Sequence, residues 1–123
     1  MARICVTGGR HFDETAYIFA VLDAHHVEVL IHGDCPTGLD HWADEWAKAR
    51  QIPVRKFPAD WDKFGRAAGP IRNQQMVDSG EMDYLLMFPG GRRTYDMYDK
   101  AQKAGIPIRH LSPGVRLEGI LER

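Results

Sequence analysis

Long apolar runs are missing from this sequence. No stretch approaches the ~20 consecutive apolar residues that a membrane-spanning helix needs, so a transmembrane reading is excluded. Met1-Ala2-Arg3 leads straight into a strand-like run, so no secretory signal is expected and the cytoplasm is the default compartment. Cysteine is scarce. Cys5 and Cys35 form neither a metal spacing nor a disulfide framework, and both read as free thiols. A surplus of one charge is also missing: 16 Lys and Arg stand against 17 Asp and Glu, a net −1. Proteins that hold a nucleic-acid duplex usually show a basic excess or stripe, so a nucleic-acid partner is disfavoured. Internal repeats and low-complexity segments are absent. The six histidines show no ligand spacing with carboxylates or cysteines, so no metal is expected, and no cofactor is called for.

What is present is alternation. The 123 residues fit one domain over 1–123, long enough for a core without covalent staples. Short apolar runs at Arg3–Thr7, Val27–Ile31, Pro53–Phe57, Tyr84–Phe88 and Pro107–Leu111 read as strands. Between them lie helical segments, about Glu14–His25 with Asp13 as cap, Leu39–Arg50, Pro70–Ser79 and Thr94–Ala104. The second helix is the clearest: Leu39, Trp42, Ala43, Trp46, Ala47 and Arg50 form one stripe, with Asp40, His41, Asp44, Glu45 and Lys48 opposite. Pro58–Gly69 reads as a long loop, and Ser112–Arg123 as loop with a weak last helical turn. Strand and helix alternating five times imply an α/β fold, a doubly wound parallel sheet of about five strands with helices on both faces.

With the strand order 3-2-1-4-5, the winding reverses between the first and fourth strands, where such sheets bind ligands. Those two strands end in Gly8-Gly9-Arg10 and in Pro89-Gly90-Gly91-Arg92-Arg93-Thr94. Gly90 and Gly91 let a backbone approach an anion. The helix starting near Thr94 offers free N–H groups and its dipole. The Thr94 hydroxyl and the Arg92 or Arg93 guanidinium can add contacts to a phosphate. The alternative is that the glycines only make tight turns. The second strand runs into Gly33-Asp34-Cys35-Pro36-Thr37-Gly38-Leu39-Asp40, where Asp40 either complements the helix dipole or accepts from ribose hydroxyls. Arg72 and Asn73 lie on an unusually polar helix, either solvated or aimed into the crevice. Trp61 is a candidate to cover a base or a partner surface.

Five segments then carry a resemblance: V-T-G-G-R at 6–10, H-G-D-C-P-T-G-L-D at 32–40, P-A-D-W at 58–61, A-G-P-I-R-N-Q-Q-M at 68–76 and F-P-G-G-R-R-T at 88–94. Together they resemble the SLOG superfamily of Rossmann-like nucleotide-binding proteins, and within it the small YspA/YpsA-related branch. The resemblance implies kinship with the LOG phosphoribohydrolases, which cleave the N-glycosidic bond of nucleoside 5′-monophosphates. On that likeness Arg72 matches their catalytic arginine, and Pro89, Gly90, Gly91 and Thr94 match their phosphate loop. Two positions depart: Arg93 stands at a glycine position, and Met97 stands where the catalytic glutamate belongs. Asp96 is the neighbouring carboxylate, but it is turned about 100° around the helix. The expectation is therefore a sensor or binding module for a nucleotide-like phosphorylated ligand. The alternative is an N-glycosidase using Arg72 with Asp96, Asp40 or another carboxylate. A DNA-processing accessory role, from the likeness to the DNA-uptake protein DprA, is a third. LOG-like proteins also imply a homodimer or homotetramer, with Tyr95, Tyr98 and Met76 as candidate interface residues.

Overall fold

The computed structural model describes residues 2–113. Five strands, β1 (Ala2–Thr7), β2 (Val27–His32), β3 (Val54–Lys56), β4 (Tyr84–Met87) and β5 (Ile108–His110), form one sheet in the order β3-β2-β1-β4-β5. Every pairing is parallel. Five helices connect them: α1 (Thr15–Ala24), α2 (Gly38–Arg50), α3 (Trp61–Phe64), α4 (Ala68–Asp78) and α5 (Arg92–Lys103).

The strands alternate faces, and both faces are apolar, which is why helices cover each. Ile4, Val6, Leu30 and Leu86 point to one side. There they meet Ile18, Val21 and Leu22 of α1 and Leu39, Ala43, Trp46 and Ala47 of α2. Cys5, Ile31 and Leu85 point to the other side, against Met76 and Val77 of α4 and Met97 and Ala101 of α5. Burying one such aliphatic side chain contributes about 1.5–3 kcal/mol. The α2 stripe is secured at its far end by Asp23 of α1, which accepts from Trp46 Nε1 at 2.9 Å and from Arg50 Nε at 3.0 Å.

Several boundaries differ from the sequence expectation, each for a local reason. α1 begins at Thr15 with Glu14 at the N-cap. Asp13 contributes its carbonyl, which accepts the Thr15 N–H at 2.7 Å, and its side chain caps nothing. The expected loop 58–69 holds α3 and a 3₁₀ turn, Gly65–Ala67, because the Asp60 carboxylate caps the chain there, accepting the Lys63 N–H at 3.1 Å. α4 starts at Ala68, so Pro70 falls inside its first turn, where a missing N–H costs no helical bond. α5 starts at Arg92, so Arg92, Arg93 and Thr94 form its first turn. Asp44, expected on the solvent side of α2, is buried. Met76, expected at an interface, is 1% exposed and belongs to the core. The last turn expected within Ser112–Arg123 lies almost wholly outside the described residues. Among the described residues no helix is long and apolar enough to cross a membrane.

Candidate functional site

The fold itself opens a crevice. The helices following β1 and β2 pack on one face of the sheet, and those around β4 on the other. The loops after the adjacent strands β1 and β4 therefore diverge, leaving a cavity of about 1,340 Å³ at the carboxyl ends of the strands.

Its floor is backbone laid against backbone. Phe88 N–H donates to the Thr7 carbonyl at 2.8 Å, and Gly9 N–H donates to the Pro89 carbonyl at 2.8 Å. At Gly90 a Cβ would collide with the Thr94 hydroxyl and come within 2.7 Å of Gly9 N, so this glycine is needed for packing. A Cβ at Gly91 would meet nothing within 4 Å. Gly91 is the N-cap of α5, and no side chain caps that helix. The first-turn amides of α5 thus have no helical acceptor and lie at the crevice wall, where Pro89, Gly90, Gly91, Arg92, Arg93 and Thr94 all line the cavity.

The N-terminus of α2 is different. Leu39 N–H donates to the Gly9 carbonyl at 3.2 Å, and the Thr37 hydroxyl donates to the Arg10 carbonyl at 2.8 Å. Gly38 has φ +69, and a Cβ there would strike the backbone of Gly9 and Arg10. Gly38 is buried under the β1 loop and does not line the cavity, whereas Gly8, Gly9, Arg10, Gly33 and Asp40 do.

Arg72 and Asn73 of α4 are both buried. Arg72 Nη1 donates to the Gly33 carbonyl at 2.5 Å, and Nε donates to Asn73 Oδ1 at 2.9 Å. Asn73 Nδ2 in turn donates to the Arg93 carbonyl at 3.1 Å and to Asp96 Oδ2 at 3.0 Å. Lys100 Nζ holds the other Asp96 oxygen at 2.6 Å. One chain of polar contacts therefore runs from the β2 loop through α4 into the first turns of α5. Burial lowers the Arg72 pKa from the usual arginine range, with the Asp40 carboxyl opposing that shift.

Asp40 and Asp44, one helical turn apart on α2, are tuned in opposite directions. Burial raises the Asp40 carboxyl above the usual aspartate range; the nearby His32 ring, the Cys35 N–H at 3.2 Å and the Arg72 guanidinium offset this only in part. Burial also works against the Asp44 carboxylate, but hydrogen bonds from His32 and Lys48 hold it below the usual range. The His32 contacts settle its tautomer. Nδ1 accepts the Asp34 N–H at 2.9 Å, so the ring proton sits on Nε2, which donates to Asp44 Oδ1 at 2.9 Å. Asp34, at φ 58, is held in the left-handed region by that contact.

A family model described as the YspA, cpYpsA-related SLOG family matches residues 2–64. This chain belongs to that family. It is also 39% identical over 120 residues to the Gene 61 protein of Mycobacterium phage D29, an alignment covering 88% of this chain and 94% of that protein.

In this SLOG-family chain, Met97, which stands at the LOG-type glutamate position, is 1% exposed and packs with Cys5, Ile31 and Met76. Asp96 lines the cavity but is held by Lys100 and Asn73. Of the candidate catalytic and ligand-binding residues, all but Gly38 line the one crevice, while the interface candidates Tyr95 and Tyr98 do not. Sequence reasoning missed Arg66, Asp99 and Cys35 on its wall, and His32 and Asp44 behind it. Arg66 had a signal, since it lies two residues before the A-G-P-I-R-N segment. The His32 to Asp44 contact had none. Among the described residues no three of His, Cys, Asp and Glu lie close enough to hold a metal ion.

Proposed function

We propose that this chain binds a nucleotide or nucleotide-derived phosphorylated ligand in the crevice between the loops after β1 and β4, as a sensor or binding module. The observation that carries this is the uncapped first turn of α5, open at Gly91, in which Arg92 and Arg93 lie on the cavity wall. Arg10 and Arg66 line the same cavity, so five arginines stand on its wall beside four aspartates. Backbone amides, a helix dipole and arginines together suit a phosphate dianion.

Binding without turnover is favoured because Asp96, beside the LOG-type glutamate position, is held by Lys100 and Asn73, and Met97 at that position is a core thioether. A second reading, N-glycoside hydrolysis, has one observation behind it. Asp40 is a partly buried carboxyl of raised pKa in the crevice that Arg72 also lines, the kind of group that serves as a general acid. The same reading carries a homodimer or homotetramer, with exposed Tyr95 on the contact face; light scattering at the monomer mass would count against that.

The deciding experiment incubates the pure protein with a panel of nucleoside 5′-monophosphates, following thermal shift and release of free base together. A shift with no base released supports the binding module. Base release that Asp40→Asn abolishes moves the assignment to the glycosidase. No shift with any member up to millimolar concentration overturns both.

A further inference from the structure

We infer that Trp61 is the stacking surface for the base of the ligand, so the site takes a purine nucleotide in preference to a bare sugar phosphate. This rests on the phosphate-site reading above. The crevice has two chemically distinct walls. The first turn of α5 is cationic and rich in free amides. The segment leading into α4 contributes Pro58, Ala59 and Trp61, and the first turn of α4 contributes Pro70, an apolar wall suited to a flat ring.

Among the described residues, Trp61 and Tyr95 are the large hydrophobic side chains left exposed, and of these Trp61 lines the crevice. It is 45% exposed, whereas Trp46 of the core is 3% exposed. Its position is nonetheless built. The Asp60 cap fixes the start of α3, with the Lys63 N–H at 3.1 Å from Asp60 Oδ1 and the Phe64 N–H at 3.0 Å from the Asp60 carbonyl.

Arg93 ties the two walls together. Its backbone lies in the first turn of α5, where Asn73 holds its carbonyl, and its guanidinium lies 4.6 Å from the Trp61 ring centroid. The side chain crosses Gly69 so closely that a Cβ there would come 2.6 Å from Arg93 Nε. The indole is thus one arginine side chain away from the anion-binding amides. In a nucleoside 5′-monophosphate a ribose bridges a comparable gap between phosphate and base. A base on Trp61 would extend a cation–π stack that already exists, and the larger π-face of a purine would gain more than a pyrimidine.

The test is calorimetric titration of the full chain and of Trp61→Ala, Trp61→Leu and Trp61→Phe with AMP, CMP and ribose 5-phosphate. The wild type should bind AMP about tenfold or more tighter than ribose 5-phosphate, the scale of one stacking contact, with CMP between them. Trp61→Ala and Trp61→Leu should close that gap and leave ribose 5-phosphate affinity within about twofold. Trp61→Phe should keep most of the gap. Equal wild-type affinity for AMP and ribose 5-phosphate overturns the inference while the phosphate site stands. So does a Trp61 substitution that weakens both ligands alike or weakens neither. If the wild type binds neither AMP nor ribose 5-phosphate, the phosphate-site reading fails and this inference falls with it.

Discussion

The two loops that follow β2 and β4 look alike in sequence, each placing proline and glycine ahead of a helix, yet they are physically opposite. The loop from Gly33 to Gly38 is closed on itself. Its amides go to His32 and Asp40, its Thr37 hydroxyl goes to the Arg10 carbonyl, and its first carbonyl is taken by Arg72. The loop from Pro89 to Gly91 leaves the amides of the following helix unclaimed. A glycine-rich turn before a helix is therefore an anion cradle only when the protein has not already spent its donors.

Substitutions at matched glycines test that contrast most severely. Gly38→Ala places a Cβ against the Gly9 and Arg10 backbone at a positive φ, and should cost about 2–5 kcal/mol in a denaturant titration. A loss below about 0.5 kcal/mol would break the account of a closed loop. Next in size is Arg72→Ala, which strips the Gly33 carbonyl and Asn73 of their charged donor. Unfolding stability should fall by about 1.5–3 kcal/mol, and Arg72→Lys should recover only part of it because a single ammonium lacks the fork.

Asp40→Asn has the opposite sign. The folded pKa of Asp40 lies above its unfolded value, so the ionised carboxyl destabilises the fold at neutral pH. That penalty disappears as the pH falls below the unfolded value, about 4. Asp40→Asn should raise the stability measured at pH 7, with the gain shrinking as the pH approaches that value. A gain independent of pH, or a loss at pH 7, would contradict the assignment. Smallest in stability is Gly91→Ala, whose Cβ meets no protein atom. It should cost no more than about 1 kcal/mol, the scale of an N-cap change. Its effect should appear in binding, where AMP affinity falls about tenfold because the methyl group occupies the approach of the phosphate. Unchanged affinity would mean that the open loop is only a turn.

The same contrast explains what could be read from the chain in advance. Strand order and the switch point were legible because the apolar runs are short, evenly spaced and punctuated by glycine, as at Thr7-Gly8 and Phe88-Pro89-Gly90. Convergence of the two glycine loops follows from that topology; the inward position of Arg72 and Asn73 was left open by the sequence and is fixed by their contacts with Gly33 and Arg93. Which loop is closed was not legible, because it depends on contacts between distant positions. Arg72 reaches Gly33 across 39 residues, and Thr37 reaches Arg10 across 27. Asp44 was misplaced for the same reason: on a helical wheel it faces water, but β2 ends in a histidine that turns toward it. The α3 helix was missed because it is four residues long and carries no period, although Asp60 three residues before Lys63 is an N-cap pattern.

The position of β1 bears on how the protein comes off the ribosome. The first of the five strands in chain order becomes the middle of the sheet, and its neighbour β4 begins about eighty residues later, as the Arg3 to Asp83 contact records. At about 5–20 residues per second, β1 waits roughly 4–16 s before that edge can be filled. Throughout that interval an apolar strand made of Ile4, Cys5 and Val6 is open on one side. Synthesis slowed after β2 should therefore expose this chain to misassociation more than the same delay placed after β4.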